Sequence, residues 1–477
     1  MSCIVLAGSA LLLTGVPPGW PVVVSFLLVL GGLTAAHLIY EGAHWQLAPL
    51  YLAVAVLFAF EIGGLAMAAF HMAFAFDGLG RHWNVSRLIF QTAGGLTFVL
   101  TLAALVLSWM LPMFRLPKPR GPHKVGTRLL HVIDPMRDAE GGRRVGSQRE
   151  LMVQVWYPAE PVGGRYEVYR RRSETTFKSS YQSVLRTQSL RDAPVLAAGA
   201  PYPLLLFNPA WTGQRTQSTF LMQELASQGF VVASIDHTYY SGRVAFPDGR
   251  VFDGHMAPAL GDFTYLSIEE GIELADQFVL ILAEDIVSVL DELAVLNGRP
   301  DSDWYRCLDM SRVGALGHSV GGAAAAEACS LDPRILAALN LDGWTFGSVL
   351  RQGLAKPWMV IYGKGIEVQP RDLAQQPEGM QRYWQMNREN YAAVEAALYK
   401  HGGCSLTLQG ASHWNFCDRP LYSPLRHRTQ AGTIQPELAH RIVCDAARAF
   451  FAESLPGGEP GLLAEVIRAY PEVSGGC

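Results

Sequence analysis

Charged residues are nearly absent from the first quarter of this 477-residue chain. Between Ser2 and Phe114 the formal charges are confined to Glu41, Glu61, Asp77, Arg81 and Arg87. The rest of the chain has the charge density of an ordinary globular protein. Because long apolar segments favour burial in lipid, the sequence predicts a helical transmembrane region over residues 1–114 and a separate water-soluble part after it.

Three apolar stretches reach the length of about 20 residues that a helix needs to cross a bilayer, namely residues 20–40, 49–70 and 88–111. Residues 2–16 are shorter and lack the positively charged start of a signal peptide, so they are predicted as a fourth span rather than a removed leader. Glu61 lies in one predicted span, where a carboxylate is costly unless protonated or paired. It indicates either a polar site in the bundle or a neutral side chain bonded to a neighbouring helix.

Basic residues around the last predicted span indicate its orientation. Residues 71–87 contain Arg81 and Arg87, whereas the side after the span has Arg115, Lys118, Arg120, Lys124 and Arg128. The positive-inside rule therefore predicts that everything beyond Phe114 faces the cytoplasm, in a bacterial inner membrane. Residues 115–126 are rich in Pro and Gly and are predicted to be a linker.

Composition excludes some classes of partner and cofactor. The net charge is −4 and no basic cluster with interleaved aromatic residues is present, which argues against a nucleic-acid partner. The cysteines are Cys3, Cys307, Cys329, Cys404, Cys417, Cys444 and Cys477. They form no C-x-x-C pair, so the sequence predicts neither a disulfide framework nor a zinc site, and no other metal or cofactor.

Beyond the linker, strand and helix signals alternate over residues 127–455, and residues 456–477 form a tail. Apolar runs predict strands at residues 151–157, 202–207, 230–235, 313–317, 335–341, 358–362 and 406–409. Helices are predicted at residues 218–228, 265–296 and 436–451. This alternation predicts an α/β domain, with a mostly parallel sheet and helices on both faces.

The segment VGALGHSVGGA, residues 313–323, passes from an apolar run through Gly317-His318-Ser319-Val320-Gly321 into an Ala-rich helix. In such a G-x-S-x-G elbow, a strained turn lifts the serine hydroxyl above the end of a parallel sheet. The five-residue pattern is weak by itself in a chain with 47 Gly, so the strand before it and the helix after it carry the inference. Ser319 is therefore the candidate nucleophile.

A serine hydroxyl needs a base, and the base needs an acid to orient it. In this type of fold the order along the chain is serine, acid, histidine. His413 follows a late predicted strand and a Gly turn, and is the candidate base. His318 is expected to point away as part of the elbow, and His237 precedes the serine.

A family resemblance rests on four segments in order: Val155-Trp156-Tyr157-Pro158, residues 317–323 of the elbow, Asn340-Leu341-Asp342-Gly343-Trp344 and Ser412-His413-Trp414-Asn415-Phe416. Together they resemble the plasma-type (isoform II) platelet-activating-factor acetylhydrolases and their bacterial relatives. These are calcium-independent serine α/β-hydrolases that cleave short or oxidised acyl chains from phospholipids. The resemblance covers residue 151 to the helix after His413. It implies an α/β-hydrolase fold, with Ser319 as nucleophile, Asp342 as acid and His413 as base.

The acid has an alternative position. In many α/β-hydrolases it follows the second strand after the nucleophile, which here points to Glu367 or Asp372. Asp342 is preferred because it ends an uninterrupted apolar strand, and Gly343 provides a turn that aims the carboxylate toward His413. Glu367 and Asp372 lie in a polar stretch with a Pro, which is typical of a solvated loop.

An oxyanion hole is expected from two backbone N–H groups. One belongs to Val320, directly after the nucleophile, and the other to a loop after an early strand. Under the resemblance, the family's His-Gly-containing loop aligns with residues 208–215, so that Trp211 supplies the second N–H. Pro209 and Ala210 stand here where the family has His and Gly. The side chain of Trp211 also fits an aromatic lining of an acyl pocket.

These observations predict a membrane-anchored serine esterase that acts on short-chain or oxidised phospholipid esters or similar hydrophobic esters. General carboxylesterases and polyester or cutinase-like hydrolases share the same fold and triad. A protein of another class, with a non-catalytic hydrolase-like domain that senses or binds, would be favoured if a triad residue were missing, and all three candidates are present.

Overall fold

The computed structural model describes residues 2–13, 20–40, 43–74, 82–138, 148–254, 267–363 and 378–476. The chain divides into two compact units. Unit 1 consists of Met1–Phe114, Thr175–Leu185 and Tyr422–Leu425. Unit 2 consists of Arg115–Glu174, Arg186–Leu421 and Arg426–Cys477. The N-terminal helices therefore share a unit with two short segments that come much later in the chain.

Unit 1 is built from helices α1 (Ser2–Leu13), α2 (Trp20–Tyr40), α3 (Ala48–Phe74) and α4 (His82–Met110), with a 3₁₀ turn at Trp45–Leu47. Three stretches in it are apolar and long enough to cross a membrane: Pro21–Ile39, Trp45–Gly63 and Gln91–Met110. Helix α1 has 12 residues. At 1.5 Å per residue it is about 18 Å long, short of the roughly 30 Å of a bilayer's hydrocarbon core.

The helices of unit 1 pack through apolar residues such as Val5, Leu30 and Leu57, which are fully buried. The hydroxyl of Ser9 donates to Thr97 Oγ1 at 2.8 Å and joins α1 to α4. Large apolar side chains also face outward, for example Ile39, which is 77% exposed. An apolar exterior of this kind is typical of helices that lie in lipid. Glu61 is buried in α3.

Unit 2 contains a large mixed sheet with the strand order β13-β12-β11-β10-β9-β5-β6-β2-β1-β4-β3, and a hairpin of β7 and β8. The strands are β1 (Lys124–Asp138), β2 (Gln148–Ala159), β3 (Tyr166–Val168), β4 (Arg186–Arg191), β5 (Tyr202–Asn208), β6 (Val231–Asp236), β7 (Arg243–Ala245), β8 (Val251–Asp253), β9 (Leu308–His318), β10 (Ile335–Leu341), β11 (Trp358–Gly363), β12 (Cys404–Leu408) and β13 (Val473–Gly476). Along the sheet, β12, β11, β10, β9, β5 and β6 are each parallel to their neighbour, whereas β2 is antiparallel to both β6 and β1.

The helices of this unit are α5 (Thr219–Ser227), α6 (Ile268–Gly298), α7 (Val320–Leu331), α8 (Ser348–Gln352), α9 (Glu378–His401), α10 (Arg426–Thr429), α11 (Pro436–Ser454) and α12 (Leu462–Ala469). Helix α6 packs on α7, and α11 packs on α5. Apolar residues of α6 and α7 and of the strands form a buried core, which includes Leu204, Val313 and Leu290. Burial of this core in a mostly parallel sheet agrees with the predicted fold class.

Strand register brings several strand ends to the same edge of the sheet. Asn208 at the end of β5 pairs with Gly317 of β9, and Leu341 at the end of β10 pairs with His318. Leu341 also pairs with Ile361 of β11. In parallel α/β sheets, ligands bind beside the carboxyl ends of the strands, so the candidate site residues fall where this architecture places a site.

Candidate active site

Ser319 lies in a tight turn between β9 and α7. Its backbone angles are φ 59° and ψ −132°, a left-handed conformation that is costly for a residue with a side chain. Its N–H donates to the carbonyl of Leu341 at 2.9 Å. A Cβ at Gly317 would lie 2.2 Å from the backbone of Gly321, and a Cβ at Gly321 would lie 2.2 Å from the carbonyl of Asn208. The turn therefore requires glycine on both sides of the serine.

Asp342 follows β10 directly and is held by backbone contacts. Its N–H donates to the carbonyl of Ile361 at 2.8 Å, and the N–H of Gly363 donates to its Oδ1 at 2.7 Å. Its other oxygen, Oδ2, lies 2.8 Å from Nδ1 of His413. The Asp342 side chain is 8% exposed, whereas that of His413 is 36% exposed. The structure thus brings a buried carboxylate against one nitrogen of an accessible imidazole.

His413 begins a short 3₁₀ helix, His413–Phe416, whose start is fixed by a reciprocal cap between Ser412 and Asn415. Asn415 Oδ1 also accepts the N–H of Gly432 at 2.8 Å. In the described part of the chain, no hydrogen bond joins the Ser319 hydroxyl to His413. Such bonds are often long in free enzymes and tighten when substrate binds.

The loop after β5 presents one free backbone N–H beside the elbow. Pro209 has no N–H, and the N–H of Ala210 donates to Gln217 Oε1 at 3.1 Å. The N–H of Thr212, a residue with φ 54°, donates to the carbonyl of Tyr240 at 3.1 Å. Among the described residues, the N–H groups of Trp211 and Val320 have no acceptor. The Pro209-Ala210 departure from the family pattern therefore still leaves the Trp211 N–H available.

Aromatic rings lie around Trp211 and, in the chain, shortly after Asp342. The Trp211 ring lies 6.1 Å from that of Phe278, and Tyr240 lies 5.1 Å from the same ring. Trp344, two residues after Asp342, lies 6.1 Å from Phe346. These rings are at least partly buried against the core of unit 2. Apolar aromatic walls of this kind suit a hydrophobic acyl or alcohol group.

Two histidines that the sequence analysis set aside lie beside these residues. His318 is fully buried and contacts both Gln217 and the backbone of His413, rather than pointing away from the site. His237 Nε2 lies 3.2 Å from Asn208 Oδ1, at the start of the loop that carries Trp211. The signal that could have found His318 is its place in the elbow, because the residue before the nucleophile is fixed as tightly as the nucleophile.

Glu367 and Asp372, the alternative acids, lie outside the described residues. Within the described ranges, no group of three or more His, Cys, Asp or Glu side chains is placed to hold a metal ion. Cys404 at the start of β12 is disulfide-bonded, a bond that the scattered cysteines did not predict.

Comparison with known proteins places this chain in one family. Residues 111–248 and 294–457, more than half of the chain, match the family model described as platelet-activating factor acetylhydrolase, isoform II. The platelet-activating factor acetylhydrolase of Gallus gallus is 27% identical over 264 residues, which are 48% of this chain and 60% of that protein. The protein of the same name from Cavia porcellus is 23% identical over 387 residues, 71% of this chain and 78% of that protein.

Among solved structures, a ferulic acid esterase from Streptomyces cinnamoneus is similar, with a TM-score of 0.60 and 28% sequence identity. The similarity covers 76% of this chain and 99% of the esterase. The two proteins are therefore similar in amino-acid sequence as well as in fold.

Proposed function

Because the chain belongs to the platelet-activating factor acetylhydrolase, isoform II, family, we propose that it is a membrane-anchored serine ester hydrolase. In this proposal Ser319 is the nucleophile, His413 the base and Asp342 the acid. The observation that carries it is the 2.8 Å contact between Asp342 Oδ2 and His413 Nδ1, at the sheet edge where the strained elbow holds Ser319. The contact fixes the tautomer that leaves Nε2 of His413 free to accept a proton.

Acylation begins when His413 Nε2 takes the proton of the Ser319 hydroxyl as Oγ attacks the ester carbonyl. The carbonyl oxygen becomes an oxyanion, and the free N–H groups of Val320 and Trp211 are the donors that stabilise it. The imidazolium then gives its proton to the departing alcohol, which leaves an acyl-serine. Asp342 stays ionised and stabilises the imidazolium throughout.

Deacylation repeats these steps with water. His413 takes a proton from water as the water oxygen attacks the acyl-serine carbonyl. His413 then returns that proton to Ser319 Oγ as the carboxylic acid product leaves. Every proton is accounted for by His413, so the proposed cycle needs no metal and no cofactor.

The proposed substrate is a short-chain or oxidised acyl ester of a phospholipid, or a similar hydrophobic ester. Relatives named platelet-activating factor acetylhydrolase support this class. The apolar helices of unit 1 support it too, because an enzyme anchored in the bilayer meets a lipid substrate at high local concentration.

A second candidate substrate is an ester of an aromatic acid. The aromatic side chains around Trp211 and Trp344 favour it, and so does the similar structure named ferulic acid esterase. Flat aromatic acyl groups gain from offset or edge contacts with such rings.

A substrate panel separates the candidates. Full-length protein in detergent would be assayed with p-nitrophenyl acetate, p-nitrophenyl octanoate and methyl ferulate, and in vesicles with a 2-acetyl phospholipid. The expected result is fast turnover of the acetyl esters. A preference for methyl ferulate would favour the aromatic class, similar rates on both p-nitrophenyl esters would favour a general carboxylesterase, and no turnover of any ester would favour a binding or sensing role.

Unit 2 is proposed to lie on the cytoplasmic side of a bacterial inner membrane, because basic residues are concentrated after the last apolar helix. The disulfide at Cys404 favours the opposite side, since disulfides persist in oxidising compartments.

A further inference from the structure

We propose that His318 and Gln217 are positioning residues that join the base to the oxyanion loop through one chain of hydrogen bonds. The base loop is defined here as residues 412–416 and the oxyanion loop as residues 208–213. This inference rests on the proposed function, because it assigns a role in the same reaction.

The first link runs from His318 to the base loop. His318 Nε2 lies 2.8 Å from the backbone carbonyl of His413. A carbonyl oxygen only accepts hydrogen bonds, so Nε2 of His318 must carry the proton. This bond holds the backbone of the very residue whose ring moves the proton in the reaction.

The second link runs from His318 to the oxyanion loop. Gln217 Oε1 accepts the N–H of Ala210, which places the Gln217 amide nitrogen 2.5 Å from His318 Nδ1. The amide nitrogen donates, so Nδ1 must be the acceptor. Gln217 thereby engages the N–H of Ala210 and leaves that of Trp211 as the free donor of the loop.

Both links require His318 to be neutral. With a proton on Nδ1 as well, the ring N–H of His318 would face the NH₂ group of Gln217, and two donors would stand opposite each other without an acceptor. Burial, followed by the charge of His413 when protonated, holds the pKa of His318 well below its ordinary value. The groups that face the ring are Gln217, His413, Trp414 and Phe416, and of these four only His413 has an ionisable side chain.

The position of His318 in the chain completes the linkage. It is bonded covalently to Ser319, so a single buried residue connects the nucleophile, the base loop and the oxyanion loop. The elbow, His413 and Trp211 come from separate parts of the chain, and an error of about 1 Å in such an alignment costs on the order of 10²-fold in rate. We expect the linkage to act on turnover more than on substrate affinity.

Two substitutions of His318 break one link each. Glutamine keeps a donor near the Nε2 position, so His318→Gln retains the bond to the base loop and loses the acceptor for Gln217. Asparagine keeps an acceptor near the Nδ1 position, so His318→Asn retains the hydrogen bond from Gln217 and loses the hydrogen bond to the base loop. The change Gln217→Leu breaks the same link as His318→Gln from the other side.

Kinetics of the full-length protein on p-nitrophenyl acetate test the proposal. Each single variant should lower kcat by about 10–10²-fold with KM nearly unchanged. The double variant, with His318→Gln and Gln217→Leu, should be no slower than the slower of the two single variants, because both substitutions break the same link. Multiplying losses, or a change confined to KM, would overturn the proposal.

The pH profile gives a second readout. If His318 is neutral, His318→Gln removes no charge and leaves the midpoint of the acidic limb of kcat/KM in place. A charged His318 would repel the protonated base, so its removal would favour the protonated form of the base and shift that limb to higher pH. Such a shift would contradict the proposed tautomer.

His440 provides a matched control. It is also buried, and its Nε2 donates to a backbone carbonyl, that of Cys417, at 3.0 Å. We expect His440→Gln to lower the thermal midpoint while kcat stays within about threefold of the parent. A loss of kcat in this variant as large as in the His318 variants would mean that the losses report general damage.

NMR of ¹⁵N-histidine-labelled protein separates failure of the linkage from failure of the proposed function. The His318 ring should show a proton on Nε2 and none on Nδ1, unchanged as His413 titrates, and Gln217→Leu should alter the Nδ1 signal. A protonated Nδ1 would overturn the linkage even in an active enzyme. Absence of any esterase activity in the parent would sink the proposed function, and with it the catalytic role of the linkage, whatever the NMR result.

Discussion

Asp342 has both carboxylate oxygens committed at the candidate site. Oδ1 accepts a hydrogen bond from the N–H of Gly363, and Oδ2 lies within hydrogen-bond distance of His413 Nδ1. Asp342 itself has a positive φ of 55°. The strand that ends in this carboxylate was predictable from its apolar run. The orientation of the Asp342 carboxylate toward His413 depends on backbone hydrogen bonds to the next strand, β11. A local sequence pattern gives no information on these bonds.

At this residue we predict that Asp342→Asn lowers kcat on the order of 10⁴-fold at neutral pH, because the amide no longer stabilises the imidazolium or its tautomer. Steady-state kinetics on p-nitrophenyl acetate would measure the loss. Glu367→Gln and Asp372→Asn serve as controls and should stay near the parent rate. A large loss at either control with a small one at Asp342 would move the acid to the later strand.

Sequence order was enough to select Ser319 and His413 as candidates, because the elbow and the Gly turn before the histidine are local signals. The contacts of Gln217 and His413 with His318 join residues 101 and 95 positions apart. Neither periodicity nor motif spacing carries information on such contacts. Side-chain partners of this kind become visible only when the strands are placed in register.

At the scale of elements, a buried ionic cluster ties β1, β2 and α6 to the end of β6. Asp285 of α6 pairs with Arg149 of β2 at 2.6 Å and with Arg137 of β1 at 2.6 Å. His237, directly after β6, lies 2.9 Å from the same carboxylate. Burial alone would raise the pKa of Asp285. The charge of Arg149 and hydrogen bonds from His237 and Arg149 outweigh burial and hold the pKa well below its ordinary value.

We therefore predict that Asp285→Asn destabilises unit 2 by about 3–5 kcal/mol, because Arg149 remains buried without its counter-charge. A carboxyl with a lowered folded pKa stabilises the fold above its unfolded pKa of about 3.9, and this contribution disappears as the pH falls through the folded value. The thermal midpoint of the variant should be several degrees lower at pH 7, and the difference should narrow below about pH 4.

Asp301→Asn is the control for this measurement, because Asp301 pairs with Arg299 and both side chains are more than half exposed. Its midpoint should not change measurably. Equal midpoints for the parent and Asp285→Asn at pH 7 would contradict a stabilising role for the cluster.

The elements that the sequence predicted best are the buried parallel strands and the long amphipathic helix α6, whose observed bounds differ from the prediction by a few residues. Strand β1 was missed because its charged residues and Pro135 obscure the alternation, although it pairs with β2 along most of its length. Helix α9 was missed because it is largely polar. Short edge strands such as β13 depend on a neighbouring strand and leave little pattern of their own.

At the scale of the whole molecule, the proposed cytoplasmic position of unit 2 is open to a direct test. We predict that green fluorescent protein fused after Cys477 fluoresces in intact bacteria, and that alkaline phosphatase fused there is inactive. An active phosphatase fusion together with a dark fluorescent-protein fusion would place unit 2 on the opposite side.

The most direct measurement of the proposed activity compares the parent, Ser319→Ala and Ser311→Ala, with full-length protein in detergent. Ser311 lies on the same strand, β9, and is exposed, so its replacement controls for the loss of a hydroxyl. Each protein would be assayed with p-nitrophenyl acetate and titrated with a fluorophosphonate that labels activated serines.

The parent and Ser311→Ala should hydrolyse the ester at similar rates and take up one equivalent of label. Ser319→Ala should fall to the background rate, a loss on the order of 10⁶-fold, and take up none, while its thermal midpoint stays near that of the parent. Turnover by Ser319→Ala within a few-fold of the parent, or labelling of that variant, would contradict Ser319 as the nucleophile and with it the proposed mechanism.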